Sequence, residues 1–170
     1  GVEAFNAACR ESVFRYEREW RELTRRIGYW LDLEEPYITC SDDYVESAAR
    51  AVAFLREHCW YQGRLLAVHK DGRSRFPAYL DDHAFLAWGL LELLQARWHG
   101  PWLAWAIELA DTMLAHFEDR DSGGFFFTAD DHEQLILRPK TFGDDATPSG
   151  NGIAARALIR DSAPAHLAHL

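Results

Sequence analysis

Residues 81–95 read DDHAFLAWGLLELLQ, and the interpretation of that run decides the fold. From Phe85 through Leu94 it is apolar almost all the way round a helical wheel. A helix laid on a surface keeps one apolar stripe, whereas one that is apolar on every side must be enclosed by neighbours. The run therefore predicts a sandwiched helix. Gly100-Pro101 breaks it and opens a second helix, Trp102 to Phe117, because proline costs least in the first helical turn. Trp105, Leu109, Met113 and Phe117 fall in step along that helix. On the N-terminal side, RLLAVHK (64–70) and RSRFPAYL (73–80) flank Asp71-Gly72, a type I′ hairpin turn. Pro77 limits the second of these strands to a short or edge role. On the C-terminal side, FFFT (125–128) and QLILR (134–138) predict a second short hairpin across ADDHE. A last helix starts after Pro148 and stops near Asp161, and the tail SAPAHLAHL is poorly patterned.

The first quarter of the chain has a different texture. Phe5, Cys9, Val13, Tyr16, Trp20, Leu23, Ile27 and Trp30 are spaced by fours and threes, tracing one face of a long helix from Glu3 to Trp30. Glu17–Arg21 and Glu22–Arg26 are i,i+4 pairs in the favourable order, and Gly28 is a suitable stop. Residues 31–40 form a connector around Pro36. Ser41, Asp42 and Asp43 then offer N-caps, with Glu46 completing a capping box on Asp43. The helix they open, Tyr44 to about Cys59, turns Val45, Ala48, Ala49, Val52 and Leu55 inward. The expected fold is mainly α: helical hairpins of a partial α/α toroid with two short β-hairpins, preceded by a long amphipathic helix. The expected organisation is residues 1–46, 47–161 and a 162–170 tail, as one compact unit.

Composition narrows the function classes. A chain of 170 residues with 18 basic and 27 acidic side chains carries a net charge of -9, which disfavours nucleic-acid binding by bulk electrostatics. The arginines crowding the first 26 residues are interleaved with acids, the pattern of a solvated helix face. Cys9, Cys40 and Cys59 are odd in number and form no CxxC pair, so neither a disulfide framework nor a zinc ribbon is implied. No apolar run approaches membrane-spanning length and no leader opens the chain. A soluble, cytoplasmic protein without cofactor or metal is expected.

Two resemblances follow, on different stretches. RAVAFLR, GRLLAVHKDGR, PAYLDDHAFLAWGLLELLQA, WAIELADTMLAHFED, GGFFFTADDHEQLILRPK and DDATPSGNGIAARAL, within about Ala48–Arg160, resemble the C-terminal helical region of the YyaL-like, thioredoxin-domain-containing proteins. That resemblance implies part of a six-hairpin (α/α)6 barrel, akin to N-acylglucosamine 2-epimerases and several glycosidases. The thioredoxin domain and the rest of the ring are missing from this sequence. FNAACRESVFRYEREWRELTRRIGYWLDLEEPYITCSDDYVES, within Val2–Glu46 and its flank, is instead similar to isoleucyl-tRNA synthetases, to the segment preceding their editing insertion. Neither HIGH nor KMSKS occurs here, so the resemblance does not carry ATP binding or aminoacylation with it. The two resemblances meet near Glu46-Ser47, which implies a chimera of two fragments.

Candidate site residues fall in two places. Asp81, Asp82 and His83 precede the enclosed helix. They suit general acid/base work on a sugar at a barrel mouth, or simply cap that helix and complement its dipole. The YyaL-like text has an aromatic after the acidic pair, so His83 departs from it. Asp144, Asp145, Thr147, Ser149 and Asn151 precede the last helix, where free backbone N–H groups can meet an anionic or hydroxylated ligand; the alternative is a capped, tightly packed helix start. Asp82 and Asp145 are the acid and base candidates, and Asp81, His83, Phe126, Asp144, Thr147, Ser149 and Asn151 the ligand-binding ones. Phe126 stacks on a sugar or packs in the core. Asp130, Asp131, His132 and Glu133 form a turn tip too poor in ligands for a hard metal, and Asp119–Gly123 reads as a helix-ending turn. No GxSxG, Walker A or GxGxxG occurs.

Three functions compete on these observations. The first is a non-catalytic helical module that self-associates, because about five helices cannot close a twelve-helix ring and an open apolar edge needs a partner. The second is a carbohydrate-processing or carbohydrate-binding remnant with a small sugar-like ligand. The third is a synthetase-derived binding segment.

Overall fold

The computed structural model describes residues 1–33, 41–133 and 136–161. Pro36, Cys40, the first two residues of QLILR and the 162–170 tail, all named above, lie outside that set. The chain forms two units, residues 1–39 and 40–170.

The first unit is built on α1 (Val2–Arg26), 25 residues with Ile27 as C-cap and Gly28 at φ +70 just beyond. A positive φ is what glycine supplies at a helix end without strain. Arg21 bonds Glu17 as the spacing predicts. The amphipathic face is present, yet no residue of α1 is buried.

The second unit contains α2 (Asp42–His58), β1 (Trp60–Tyr61), β2 (Arg64–Lys70), β3 (Arg73–Pro77), α3 (Leu80–Ala96), α4 (Gly100–His116) and α5 (Gly150–Asp161). Mainly helical architecture with a small antiparallel sheet is what the sequence predicts. Ser41 caps α2, its hydroxyl accepting from the Tyr44 amide at 3.2 Å. The junction between the two resemblances, Glu46-Ser47, therefore falls inside a helix. Val45, Ala48, Ala49, Val52 and Leu55 pack half-buried against the core, the face the spacing selects.

The hairpin forms as its turn dictates. Asp71 and Gly72 take φ +52 and +69, both positive as a type I′ turn requires, and Lys70 pairs with Arg73 across it. The sheet order β1-β2-β3 puts β3 at the edge, where Pro77 is tolerated.

Helix α3 packs against both α4 and α5. Leu80, Ala84, Ala87, Leu90, Leu91 and Leu93 are buried on about half of the helix circumference, while Asp82, Phe85, Gly89 and Glu92 form an exposed stripe on the other side, so α3 is covered broadly but not all round. Trp105, Leu109, Met113 and Phe117 meet them from the α4 side, each almost wholly enclosed. Ile153, Ala154 and Ala157 are buried against this core from α5, which also touches α4. Arg56 ties α2 to this core by a two-pronged ion pair with Glu108 at 2.7 and 3.2 Å. Its guanidinium also lies over the Trp60 and Trp105 rings.

The second expected hairpin does not form among the described residues. The three phenylalanine amides that would join it are used elsewhere. Phe125 donates to the Asn151 side chain, Phe126 to the Phe117 carbonyl and Phe127 to the Pro139 carbonyl. The Phe127 carbonyl in turn accepts the first amide of α3, from Leu80. The FFF run is thus a tie between three elements, and only an isolated Glu118–Phe125 bridge marks it as extended.

Because Met113 is fully enclosed at the α3–α4 contact, Met113→Ala should destabilise the protein by about 2–5 kcal/mol. Urea denaturation followed by far-ultraviolet circular dichroism checks this. A loss below ~1 kcal/mol would mean the site is not the packed core described.

Candidate functional site

The start of α3 and the start of α5, proposed separately on sequence grounds, are neighbours in the structure. The contact between them is Asp81 against Gly150. A methyl placed on the Gly150 Cα would sit 1.9 Å from Asp81 Oδ1 and 2.8 Å from its Cγ, so only glycine admits that carboxylate. Burial pushes the Asp81 carboxyl above its ordinary value, and the charge of Asp82 adds to the effect.

Around this contact the polar groups are largely engaged with backbone. Asp82 Oδ2 accepts from the Tyr79 amide at 2.8 Å, which closes the first turn of α3 from below. His83 is completely enclosed, with one ring nitrogen 2.8 Å from the Tyr79 carbonyl and its ring against Phe117. A carbonyl can only accept, so Nδ1 carries the proton. Burial holds the His83 pKa below the usual histidine value, and Nε2 has no hydrogen-bond partner among the described residues. At α5, Asp144 accepts from the Ser149 amide at 2.8 Å, and the Ser149 hydroxyl accepts from the Gly152 amide at 3.2 Å. The Asp145 amide donates to the Thr147 carbonyl at 3.1 Å, leaving both side chains exposed.

Asn151 has a more specific task. Its Oδ1 accepts from the Phe125 amide at 2.7 Å, while its Nδ2 donates to the Phe125 carbonyl at 2.9 Å and to the Thr141 carbonyl at 3.1 Å. It pairs with a backbone residue as a neighbouring strand would, and all its bonding capacity toward that residue is used. Phe126 faces away from its buried neighbour Phe125, with the Arg138 guanidinium 4.2 Å from its ring centre and Lys140 at 5.2 Å. These are cation–π contacts on the Phe126 ring. Arg138 also donates to the His116 and Thr128 carbonyls, and Lys140 to Asp119. The Asp119 side chain further accepts from the Asp121 and Ser122 amides, the helix-ending turn expected there. The Lys140 bond is the main cause holding the Asp119 carboxyl below its ordinary range.

The acid-rich turn is more structured than a plain solvated tip. Asp131 pairs with both guanidinium nitrogens of Arg64, and Asp130 with His116 at 2.8 Å. Burial works to raise the Asp130 carboxyl, but the His116 bond and charge, with Arg138, hold it low. His116, Asp130 and Asp131 can bring ligand atoms within 4.8 Å of one another. The Arg64 guanidinium already pairs with Asp131 and the Arg138 charge acts on Asp130, which removes the excess negative charge a hard cation needs. His132 stacks on Tyr79, which stacks in turn on Phe127.

Sequence reasoning missed a cleft on the hairpin, about 550 Å³, lined by Val68, Lys70, Asp71, Arg73, Arg75 and Phe76. Phe76 holds φ +62, a conformation bulky residues avoid. The signal available was three cations, Lys70 at the end of β2 and Arg73 and Arg75 on β3, brought together across the hairpin turn.

Comparison with known proteins bears on the first part of the chain. A family model described as tRNA synthetases class I (I, L, M and V) matches residues 1–68. The match runs past Glu46, through α2 and into β2, further than the sequence motifs carried it. Isoleucine–tRNA ligase 2 of Bacillus thuringiensis subsp. konkukian is 46% identical over 57 residues, 34% of this chain and 6% of that protein. Isoleucine–tRNA ligase of Thermus thermophilus is 60% identical over 47 residues, 28% of this chain and 4% of that protein. The Dehalococcoides mccartyi ligase is 43% identical over 70 residues, 41% of this chain and 6% of that protein. The chain thus spans about a twentieth of the length of these relatives. No helix among the described residues is long and apolar enough to cross a membrane.

Two outcomes follow from this geometry. Gly150→Ala should cost about 1–3 kcal/mol by overpacking, and the cost should shrink in the Gly150→Ala/Asp81→Ala double variant, a non-additivity that denaturation measures. Additive losses would separate the two residues. His83 should make stability pH-dependent. Its folded-state pKa is lowered, so its contribution is complete above about pH 6.5 and is lost as pH falls from there toward the lowered value. Melting temperatures between pH 7.5 and 5.5 should fall more for the wild type than for His83→Leu; equal falls would contradict the assignment. The segment from Val2 through the start of β2 is similar to a piece of class I tRNA synthetases of the isoleucine type.

Proposed function

We propose that this chain is a non-catalytic helical module that works by self-association through apolar faces it does not cover itself. The observation that carries this reading is α1, whose whole apolar side is exposed. The engagement of Asp82, Asp144, Ser149 and Asn151 with backbone groups supports it, since polar groups used in capping are not available to a reacting ligand. The α3–α4–α5 packing fits the resemblance of the later part of the chain to an α/α toroid of the YyaL-like kind, with the synthetase-like match reaching residue 68 instead of ending near Glu46. A partial ring of this sort has an open edge.

A second reading, a synthetase-derived segment that binds RNA, is favoured by the family match over residues 1–68. The two are separable. Multi-angle light scattering at micromolar concentration should give a mass above the 19.5 kDa monomer, and isoleucine-dependent ATP–pyrophosphate exchange should be absent. A monomer that binds RNA with a steep salt dependence would replace the first reading by the second.

A further inference from the structure

The exposed face of α1 has a finer period than amphipathicity requires. From Cys9 the face advances through Val13, Tyr16, Trp20, Leu23 and Ile27 in strictly alternating steps of four and three; toward the N-terminus the same register passes Asn6 and Val2 and leaves Phe5 beside the seam. That is a 3.5-residue heptad repeat, the narrow seam of a coiled coil, not the broader stripe of a helix resting on a globular core. Trp20 is 67% exposed, Ile27 66% and Val13 56%. Most helical stability in proteins comes from tertiary packing of an amphipathic face, and no residue of α1 is buried. Something must cover the seam.

We infer that a second copy of this chain covers it, through an antiparallel coiled coil of two α1 helices. The inference deepens the association reading above and rests on it. Antiparallel pairing with Val13 opposite Tyr16 of the other copy sets Trp20 on Cys9, Ile27 on Val2 and Leu23 on Asn6, so no two aromatic residues share a layer. Parallel pairing would instead put Trp20 on Trp20 and Tyr16 on Tyr16, leaving the Cys9 and Val13 layers thin. Charge agrees. The residues flanking an antiparallel seam are Arg10 of one helix and Glu17 of the other, which meet twice by symmetry. A parallel seam matches Ser12 with Glu17 and Glu19 with Thr24, and gains no ion pair. Glu17 already accepts from Arg21 in its own helix, and a carboxylate with two oxygens can accept from both. Antiparallel dipoles also bring the acidic first turn at Glu3 alongside the basic last turn at Arg25 and Arg26.

Sedimentation velocity and cysteine cross-linking of the full chain test this. The wild type should be a dimer. Val13→Glu, a change at an exposed position, should weaken it at least about tenfold by placing a charge in the seam, with the melting of the second unit unchanged. In Trp20→Cys, mild oxidation should link position 9 of one copy to position 20 of the other, mapped by peptide mass. A wild-type disulfide between the two Cys9 residues would overturn the antiparallel arrangement. A dimer that survives Val13→Glu unchanged would overturn the α1 seam while leaving self-association standing. A wild-type monomer would overturn both.

Discussion

The enclosure of α3 is the constraint on which the second unit depends. Leu90 and Ala84 are completely inaccessible, and they lie among neighbours on more than one side. A helix apolar on every side cannot be stable alone. Burying it requires α4 against one side, α5 against another, and the loop between them drawn in tightly enough to close the gap. That need explains the bonding around Phe125–Phe127. The Asn151 side chain holds Phe125, and the Phe127 carbonyl receives the first amide of α3. Position 150 is glycine because the α5 start has to approach Asp81.

This view changes the meaning of the residues that first suggested a site. Asp82, Asp144, Ser149 and Asn151 are all accounted for by one requirement, that buried or terminal backbone groups be paired. His83 is explained by the same enclosure: its place in the core costs it its charge and commits one ring nitrogen to Tyr79. Asp81 stands apart, since its carboxyl is raised and its surroundings are set by a glycine. Asp145 and Thr147 bond to each other only through backbone groups.

Much of the architecture was legible because local signals and global packing agree. The Asp71-Gly72 turn and the Gly100-Pro101 break each have one structural outcome, and each is realised; the apolar run 85–94 is covered on two sides by α4 and α5 but leaves Phe85 and Gly89 exposed. The hairpin expected from FFFT and QLILR was not legible, because a β-rich apolar run specifies extended backbone but not its partner. Asn151, a side chain 26 residues from Phe125 in sequence, took the place of a strand. The Gly150–Asp81 approach was equally hidden, since proximity of two helix starts depends on tertiary packing. The basic hairpin cleft was visible as cations on alternate residues, but its shape depends on the left-handed Phe76.

The two units are therefore opposite cases: one encloses its apolar helix, the other leaves its own uncovered. Amide hydrogen exchange resolved by segment, at several protein concentrations, tests that contrast most directly. The account predicts that α3 is the slowest-exchanging helix at every concentration, and that protection of α1 rises with concentration while that of α3 stays constant. Exchange in α3 as fast as in α1, or α1 protection independent of concentration, would contradict it.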